Sequence, residues 1–313
     1  MARYLVTGGA GFIGSHLVEE LVARGEQVRV LDNFSTGNRA NLTAWVDQIE
    51  IVTGDIRDLA TVQAAMRDVQ FVLHQAALPS VPRSVQDPLT SNAVNVDGTL
   101  NVLWAAKEAG VRRVVYASSS SVYGNVPVSP KHEGLTPAPA SPYAVSKLAA
   151  EQYCGVFHRV YGLETVALRY FNVFGPRQDP DSPYAAVIPI FLRKLTRGEQ
   201  PLIHGDGTQT RDFTFVKNVV HANLLACAAP AAAGHAMNAA CGESITLCDL
   251  VAMLNELLGT TIAPQFGPPR AGDVQHSLAD NTRAKELLGY TPRFSFREGL
   301  AHTVQAFQKT NKE

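Results

Sequence analysis

The sequence predicts an α/β chain, a doubly wound parallel sheet followed by a smaller C-terminal substrate domain. Three observations carry that prediction. Short apolar runs alternate with longer amphipathic stretches from residue 4 to about residue 170. The first run opens into Gly8, Gly11 and Gly14, spaced GxxGxxG, and a helix-like stretch follows. Beyond about residue 175 the alternation weakens and turn residues accumulate. The expected division is therefore 1–174 for nucleotide binding and catalysis and 175–313 mainly for substrate, with some later segments returning to the first part.

Taken in order, Tyr4–Thr7 is a short buried strand, and the glycines follow it directly. Glycine is needed where the turn is tight, where backbone meets a pyrophosphate, and where helix packs on strand. The helix from about Ser15 to Arg24 would present its amino end, with amide donors and partial positive charge, to phosphates. A second strand, Gln27–Leu31, ends in Asp32, 18 residues past Gly14. A carboxylate there accepts both ribose hydroxyls and repels a 2′-phosphate, so NAD is expected over NADP. Strand, glycines, helix, strand and acid in this order form a Rossmann pattern, which a glycine motif alone would not establish.

The alternation continues through Ile49–Val52 into Gly54, Asp55 and Ile56, and through Phe71–His74 into Gln75, Ala76 and Ala77. Asp55 reads equally as a partner for the adenine amino group or as a helix cap. A long helix is expected from about Pro88 to Ala109, then a buried strand at Val114–Ala117. Four serines, Ser118 to Ser121, leave the carboxyl end of that strand, where open α/β sheets bind ligands. Pro142 suits the first turn of a helix reaching about Tyr161, and Tyr143 and Lys147 sit four apart on one of its faces. A nearby ammonium favours a phenolate, so Tyr143 is expected to ionise well below the usual value of about 10. Thr165–Leu168 is a further strand, and Leu247 to Leu258 and Thr282 to Leu288 read as amphipathic core helices.

Composition narrows the function classes. The 313 residues are 46% apolar with a formal net charge of −1, which speaks against a nucleic-acid or membrane surface. Cys154, Cys227, Cys241 and Cys248 form no CxxC pair, and the nine histidines form no HxxxH pattern, so no metal is expected. Unpaired thiols, no signal peptide and no long apolar run together suggest a soluble, cytoplasmic protein.

The residues Thr7 to Gly14, Asp55-Ile56, Ser118 to Gly124, Tyr143-x-x-x-Lys147 and Arg169 to Asn172 resemble the extended short-chain dehydrogenase/reductases. Within them the chain is similar to nucleotide-sugar 4-epimerases of the UDP-glucose/UDP-N-acetylglucosamine type, a likeness reaching Gly207 to Phe213 and Arg270 to Asp273. The resemblance implies an NAD-dependent enzyme acting on a UDP-sugar through a 4-keto intermediate, with Ser119, Tyr143 and Lys147 catalytic. It also implies a homodimer in which the helices from about Pro88 and Ser141 pack between subunits. Relatives that dehydrate or decarboxylate carry acids before Val122-Tyr123-Gly124; here Ser120 and Ser121 stand there, too weakly acidic or basic for that work.

By the same resemblance the cofactor would touch Phe12 and Ile13 beside the glycines, and Asn33, Ser35, Thr36 and Gly37 beyond Asp32. Asn95, Tyr170, Phe171 and Val173 would complete its surroundings. The substrate would meet Ser119, Ser120 and Asn172, with Ala186 and Val187 where many epimerases have Asn-Leu. Leu202, Ile203 and His204 would line the uracil, although His204 reads equally as a plain strand residue. Arg211 and Arg270 would clamp the diphosphate, near Asp273, and Ser277 would wall the pocket at the sugar's C2 substituent. Two rival readings are a UDP-glucuronate 4-epimerase, disfavoured by Asp179 near a substrate carboxylate, and a sensor that binds NAD or a nucleotide sugar without turnover.

Overall fold

A computed structural model describes residues 1–180, 185–269 and 275–310. Through the first half its elements run β1 (Arg3–Thr7), α1 (Phe12–Ala23), β2 (Gln27–Asp32), β3 (Ile49–Thr53), α2 (Leu59–Ala65) and β4 (Phe71–His74). Then come α3 (Val81–Gln86), α4 (Pro88–Asn92), α5 (Gly98–Glu108), β5 (Arg113–Ser119), α6 (Pro142–Tyr161) and β6 (Glu164–Tyr170). The second half holds β7 (Val173–Phe174), α7 (Val187–Thr196), β8 (Leu202–His204), β9 (Thr210–Arg211), β10 (Thr214–Phe215) and α8 (Val216–Ala228). It ends with β11 (His235–Ala239), β12 (Ile245–Thr246), α9 (Leu247–Leu258), β13 (Gln265–Gly267), α10 (Thr282–Leu288) and α11 (Phe296–Thr310).

The seven strands of the main sheet lie in the order β3-β2-β1-β4-β5-β6-β11, every neighbouring pair parallel. Strand order reverses between β1 and β4, so the loops leaving their carboxyl ends diverge and open a crevice there. This is the doubly wound sheet that the sequence predicts. Its strands are apolar on both faces because helices cover both: Val6, Val30, Leu73 and Val115 pack into one buried cluster, and Leu5, Leu31, Val72 and Val114 into the other. From the second half, β11 adds the strand beside β6, and Val219, Val220 and Ala226 of α8 join the first cluster.

A third core sits outside the sheet. Ile188, Phe191, Leu192 and Leu195 on α7 and Leu247, Leu250, Val251 and Leu254 on α9 follow helical spacing and are buried together. Phe174 lies at the centre, with ring centroids 5.4 to 6.4 Å from Phe213, Phe215 and Phe296. Truncating so enclosed a ring to alanine costs about 3–5 kcal/mol. Three two-stranded pairings flank this core: β7 with β10, β9 with β12, and β8 with β13.

One local prediction needs correction. The helix expected over Pro88–Ala109 is interrupted: α4 runs into a π-helical turn at Ala93–Asp97 before α5. The apolar pattern is helical on both sides, and the extra residue of a π turn leaves no mark in it.

Candidate active site

The loop from Gly8 to Gly14 joins β1 to α1 at the crevice. Gly8 takes φ +68°, and a Cβ on it would stand 2.7 Å from the Ala76 amide. A Cβ on Gly14 would collide with the Gly8 carbonyl. Gly11 is the N-cap of α1 and brings no side chain to the first-turn amides. Asp32, buried at the end of β2, is fixed beside this loop: Oδ2 accepts from the Ala10 amide at 2.9 Å and Oδ1 from the Phe34 amide at 2.8 Å. The loop through Asn33, Ser35, Thr36 and Gly37 folds back over it, with Ser35 N donating to Asn33 Oδ1 at 3.0 Å. A Cβ on Gly37 would come 3.0 Å from Asp32 Oδ2.

Asp55 is not the cap of α2. Asp58 holds that position and accepts from the Ala60 amide at 3.1 Å. Asp55 instead pairs with Arg57 at 2.8 Å and accepts from Asn33 Nδ2 at 2.8 Å. The Arg57 guanidinium holds its carboxyl well below the usual range, at about 2. Ile56 beside it is buried against Gly98.

The groups that the sequence predicts to be catalytic gather at the end of β5. Ser119, half-buried, pairs across the sheet with Tyr170 and caps a short 3₁₀ turn over Ser120–Tyr123, its Oγ accepting from the Ser121 amide at 3.1 Å. Ser141 caps α6 by accepting from the Ala144 amide, Pro142 opens the first turn, and Gly162 closes the helix in the left-handed region. The Tyr143 amide, left without a partner inside the helix, donates to Ser84 Oγ at 3.0 Å. Lys147 lies one turn on, buried, and its Nζ donates to the Ala117 carbonyl at 2.8 Å. That ammonium is 5.9 Å from the Tyr143 ring centroid and 5.1 Å from that of Tyr116.

Electrostatics here depart from the expectation. Burial raises the Tyr143 phenol above its ordinary value, and the Ser119 hydroxyl pulls it partly back. Burial also lowers Lys147, to about 8. Both groups are pushed toward neutrality, so without ligands the lysine does not bring Tyr143 down. Behind the serines, Glu151 accepts from Ser118 Oγ at 2.6 Å and from Arg169 at 2.6 and 3.0 Å, which holds this buried carboxylate in place.

A buried chain of hydrogen bonds joins the end of β1 to α6. His74 Nδ1 meets Thr7 Oγ1 at 2.7 Å, and its Nε2 meets Thr99 Oγ1 at 3.0 Å. Thr99 spends its own proton on the Asn95 carbonyl at 2.7 Å, so Nε2 must be the donor and Nδ1 the acceptor. Asn95 sits in the π turn. Its Oδ1 accepts from Leu78 N at 2.8 Å, and its Nδ2 gives to the Leu78 carbonyl at 3.2 Å and to Ser146 Oγ at 3.0 Å. Ser146 passes its proton to the Tyr143 carbonyl at 2.8 Å. Asn95 is 1% exposed with both amide protons committed, so it orders the site rather than offering a donor to a cofactor.

Other predicted contacts sort by exposure. Ala76 N donates to Thr7 Oγ1 at 3.3 Å, and Gln75, half-buried, shares hydrogen bonds with Tyr170 and Asn223, a residue the sequence did not single out. Ala77 follows in the same loop, partly exposed. Phe171 is fully buried against Tyr123, so only its backbone is available to a ligand. Val173 pairs with Thr214, and Phe12 and Ile13 remain partly exposed at the head of α1.

In the second half, Asn172 is exposed at φ +31°, and its Nδ2 donates to the Asp212 carbonyl at 3.0 Å. Ala186 is the exposed N-cap of α7 and Val187 its first residue. On β8, Leu202 is 42% exposed while Ile203 is fully buried, so Ile203 has only backbone to offer a base. His204 faces Gly267 of β13, and its Nδ1 meets the Pro268 carbonyl at 3.1 Å. Arg211 Nη1 donates to the Thr210 carbonyl at 2.9 Å, and Ser277 N to the same carbonyl at 3.1 Å. Asp212 beside them is buried, and burial pushes its carboxyl up to about 7 against the pull of backbone amides. Arg270 and Asp273 lie outside the described residues.

Comparison with known proteins decides the family. Residues 4–240 match the NAD dependent epimerase/dehydratase family. The chain belongs to that family. A UDP-glucose 4-epimerase of Mycolicibacterium smegmatis is 42% identical over 99% of this chain and 100% of its own length. A UDP-N-acetylglucosamine 4-epimerase from Methanobrevibacter ruminantium, solved with UDP-N-acetylmuramic acid, is 41% identical, covers 99% of both chains and superposes with a TM-score of 0.94. A UDP-glucose 4-epimerase from Thermus thermophilus in complex with NAD is 39% identical over 98% of this chain and 99% of its own, with a TM-score of 0.88.

An NAD-dependent family member must hold a dinucleotide, and the residues at the end of β1 and β2 suit one. The glycine loop takes a course that only glycine allows, since a Cβ on Gly8 would meet the Ala76 backbone and one on Gly14 the Gly8 carbonyl, and it brings bare backbone to the head of α1. Each Asp32 oxygen takes one backbone amide and keeps lone-pair capacity for a ribose hydroxyl. Among the described residues no cluster could hold a metal ion, and no helix is long and apolar enough to cross a membrane.

Proposed function

We propose that this chain is a UDP-sugar 4-epimerase that interconverts UDP-N-acetylhexosamines, and UDP-glucose with UDP-galactose, through a 4-keto sugar. One observation carries the reading: the groups able to move a proton at the end of β5 are Ser119, Tyr143 and Lys147, with Ser120 and Ser121 where an eliminating enzyme needs acids. Glu151 behind them is bound to Arg169 and Ser118 and is not free for acid/base work. Such a site can take one hydroxyl proton and return it, and nothing further.

NAD, when bound, supplies the hydride acceptor and donor for C4. Gly8, Gly11 and Gly14 would hold its pyrophosphate against the head of α1, and Asp32 its ribose hydroxyls, which disfavours a 2′-phosphate. Tyr143 Oη, in the phenolate form that the Lys147 ammonium and the positive charge of a bound NAD would favour against burial, would accept the proton of the sugar 4-hydroxyl and later give it back, while Ser119 Oγ hydrogen-bonds the same oxygen. Lys147, anchored by the Ala117 carbonyl, supplies positive charge beneath the phenol. Arg211, with Arg270, would hold the diphosphate as the fixed handle, leaving the flat keto sugar able to turn over between the two transfers. Ser277 is small and partly exposed, which leaves space for an acetamido group at C2. Asp179 near the sugar end disfavours a uronate.

The test is incubation of the purified protein with UDP-GlcNAc and with UDP-Glc, without added NAD, followed by NMR. Appearance of the 4-epimer to equilibrium is the expected result. Absence of both epimers, with NAD released from the denatured protein in stoichiometric amount, would overturn the epimerase reading in favour of a binding protein.

A further inference from the structure

Asp212 takes no part in the proton transfers, yet it is a fully buried carboxylate at a junction of chain segments. Its Oδ1 accepts from the amides of Cys241 at 3.1 Å and Gly242 at 3.2 Å. Its Oδ2 accepts from Gly242 at 3.0 Å and from Ala279 at 3.1 Å. The one side chain thus ties down two loops that are distant in sequence. Its backbone carbonyl, in turn, receives Asn172 Nδ2 at 3.0 Å. Just upstream, Arg211 pairs with Ile245 in the β9–β12 ribbon, and Thr210 joins Gln275 and Ser277 through bonds of 3.0 and 3.1 Å.

We infer that Asp212 is a positioning residue for the nucleotide sugar, holding Asn172, Arg211 and Ser277 in one register around the diphosphate and sugar. The inference rests on the epimerase reading above, which assigns those three residues to the substrate. It extends that reading to a residue that itself touches no ligand. The ionised form, which these amides favour against burial, suits the position because both oxygens then accept, and three amides from two loops converge on them. The nearly isosteric amide of asparagine would turn an NH₂ toward donors and lose one loop. Because the carboxylate's own hydrogen bonds go to the Cys241, Gly242 and Ala279 amides and none to Asp32 or the glycine loop, cofactor retention should not depend on it. Aspartate at this position therefore affects how tightly the handle is gripped, and the transfers at Tyr143 only indirectly.

The experiment compares Asp212→Asn with the unmodified enzyme. UDP affinity is measured by titration calorimetry, KM and kcat by the 4-epimer assay, and NAD by release on denaturation. The expected result is an approximately tenfold loss of UDP affinity and a similar rise in KM. The kcat should change by less than about threefold, and NAD content should stay unchanged. Equal UDP affinity in the two proteins, or a loss of kcat and NAD in step with UDP affinity, overturns the inference. Failure of the unmodified enzyme to bind UDP refutes the epimerase reading instead. If Asp212→Asn does not fold, Asp212→Glu keeps two accepting oxygens and shifts them by one methylene; a fall in UDP affinity with NAD retained supports the inference, and unchanged affinity overturns it.

Discussion

His74 sets up a sharp test of how the core of the site is wired. The imidazole is 1% exposed, and burial, reinforced by the nearby Lys147, lowers its pKa from 6.5 to about 3. The hydrogen bonds require the same state, because Nδ1 accepts from Thr7 and cannot do so once protonated. A lowered pKa means that the unfolded chain binds a proton below about 6.5 while the native state refuses it down to about 3. The contribution to stability is therefore complete above pH 6.5 and is lost progressively as pH falls toward 3. At about pH 5, 1.5 units into that window, the loss is about 2 kcal/mol at 1.36 kcal/mol per unit. His74→Asn removes the titration together with part of the hydrogen bonding, costing about 1–3 kcal/mol at about pH 8. Urea unfolding of both proteins at about pH 8 and about pH 5, with equal NAD occupancy, isolates the effect, since distant groups cancel in the difference. The gap between them should shrink by about 2 kcal/mol at the lower pH. A gap that stays constant would mean that His74 is not held neutral and that the Thr7–His74–Thr99 chain is wrongly oriented.

The remaining expectations concern chemistry, cofactor, sugar and assembly. Tyr143→Phe should lower kcat by at least about 10²-fold while UDP binding persists; near-full activity would remove Tyr143 from the mechanism. Asp32→Gly should admit NADP, because the carboxylate that opposes a 2′-phosphate is gone; nucleotide released from the denatured variant that is still NAD alone would count against that role. Ser277→Tyr should nearly abolish turnover of UDP-GlcNAc and spare UDP-Glc, and an equal fall in kcat/KM for both would dissociate Ser277 from sugar choice. Val145, Tyr153, Val156 and Val160 form an exposed apolar stripe on α6, opposite the face on which Ala150, Cys154 and Phe157 are buried. A C₂ dimer through this stripe and Trp104 of α5 is expected, so sedimentation at micromolar concentration should give a dimer that Val156→Glu weakens; a monomeric parent protein would refute it.

Legibility differed by physical origin. Strand and helix order through β6 was readable because apolar periodicity is local and sheet burial imposes it on both faces. The glycine loop and Asp32 were readable because their constraints fall on residue type: only glycine fits the tight turn after β1, and an acid at the end of β2 can accept from the amides of that loop. Asn95 illustrates the other case. Its type fits a ligand contact, but the π turn that directs it toward Leu78 and Ser146 depends on packing between α4, α5 and α6. Asp212 and Asn223 were invisible as site elements for a related reason, since their partners are backbone or side-chain groups far away in the chain. That Asp55 is not the cap could be read only once Asp58 was seen to hold that position on α2.

The Tyr143–Lys147 pair shows where sequence spacing stops being informative. Four residues apart on a helix puts the two side chains on one face, and an ammonium there argues for an easily ionised phenol. With Nζ 5.9 Å from the ring, an effective dielectric near 20 gives an attraction of only about 3 kcal/mol, roughly two pKa units. Burial of a phenol can shift it the other way by up to about 3–5 units, and here burial prevails. It prevails partly because the ammonium is anchored to the Ala117 carbonyl and is itself pushed down to about 8. Burial thus balances the pair toward a protonated phenol, with Ser119 as the neighbour that favours ionisation. Spacing puts the two side chains on one helix face, but which protonation state they hold is decided by how deeply α6 packs onto the end of β5, a tertiary quantity with no sequence signature.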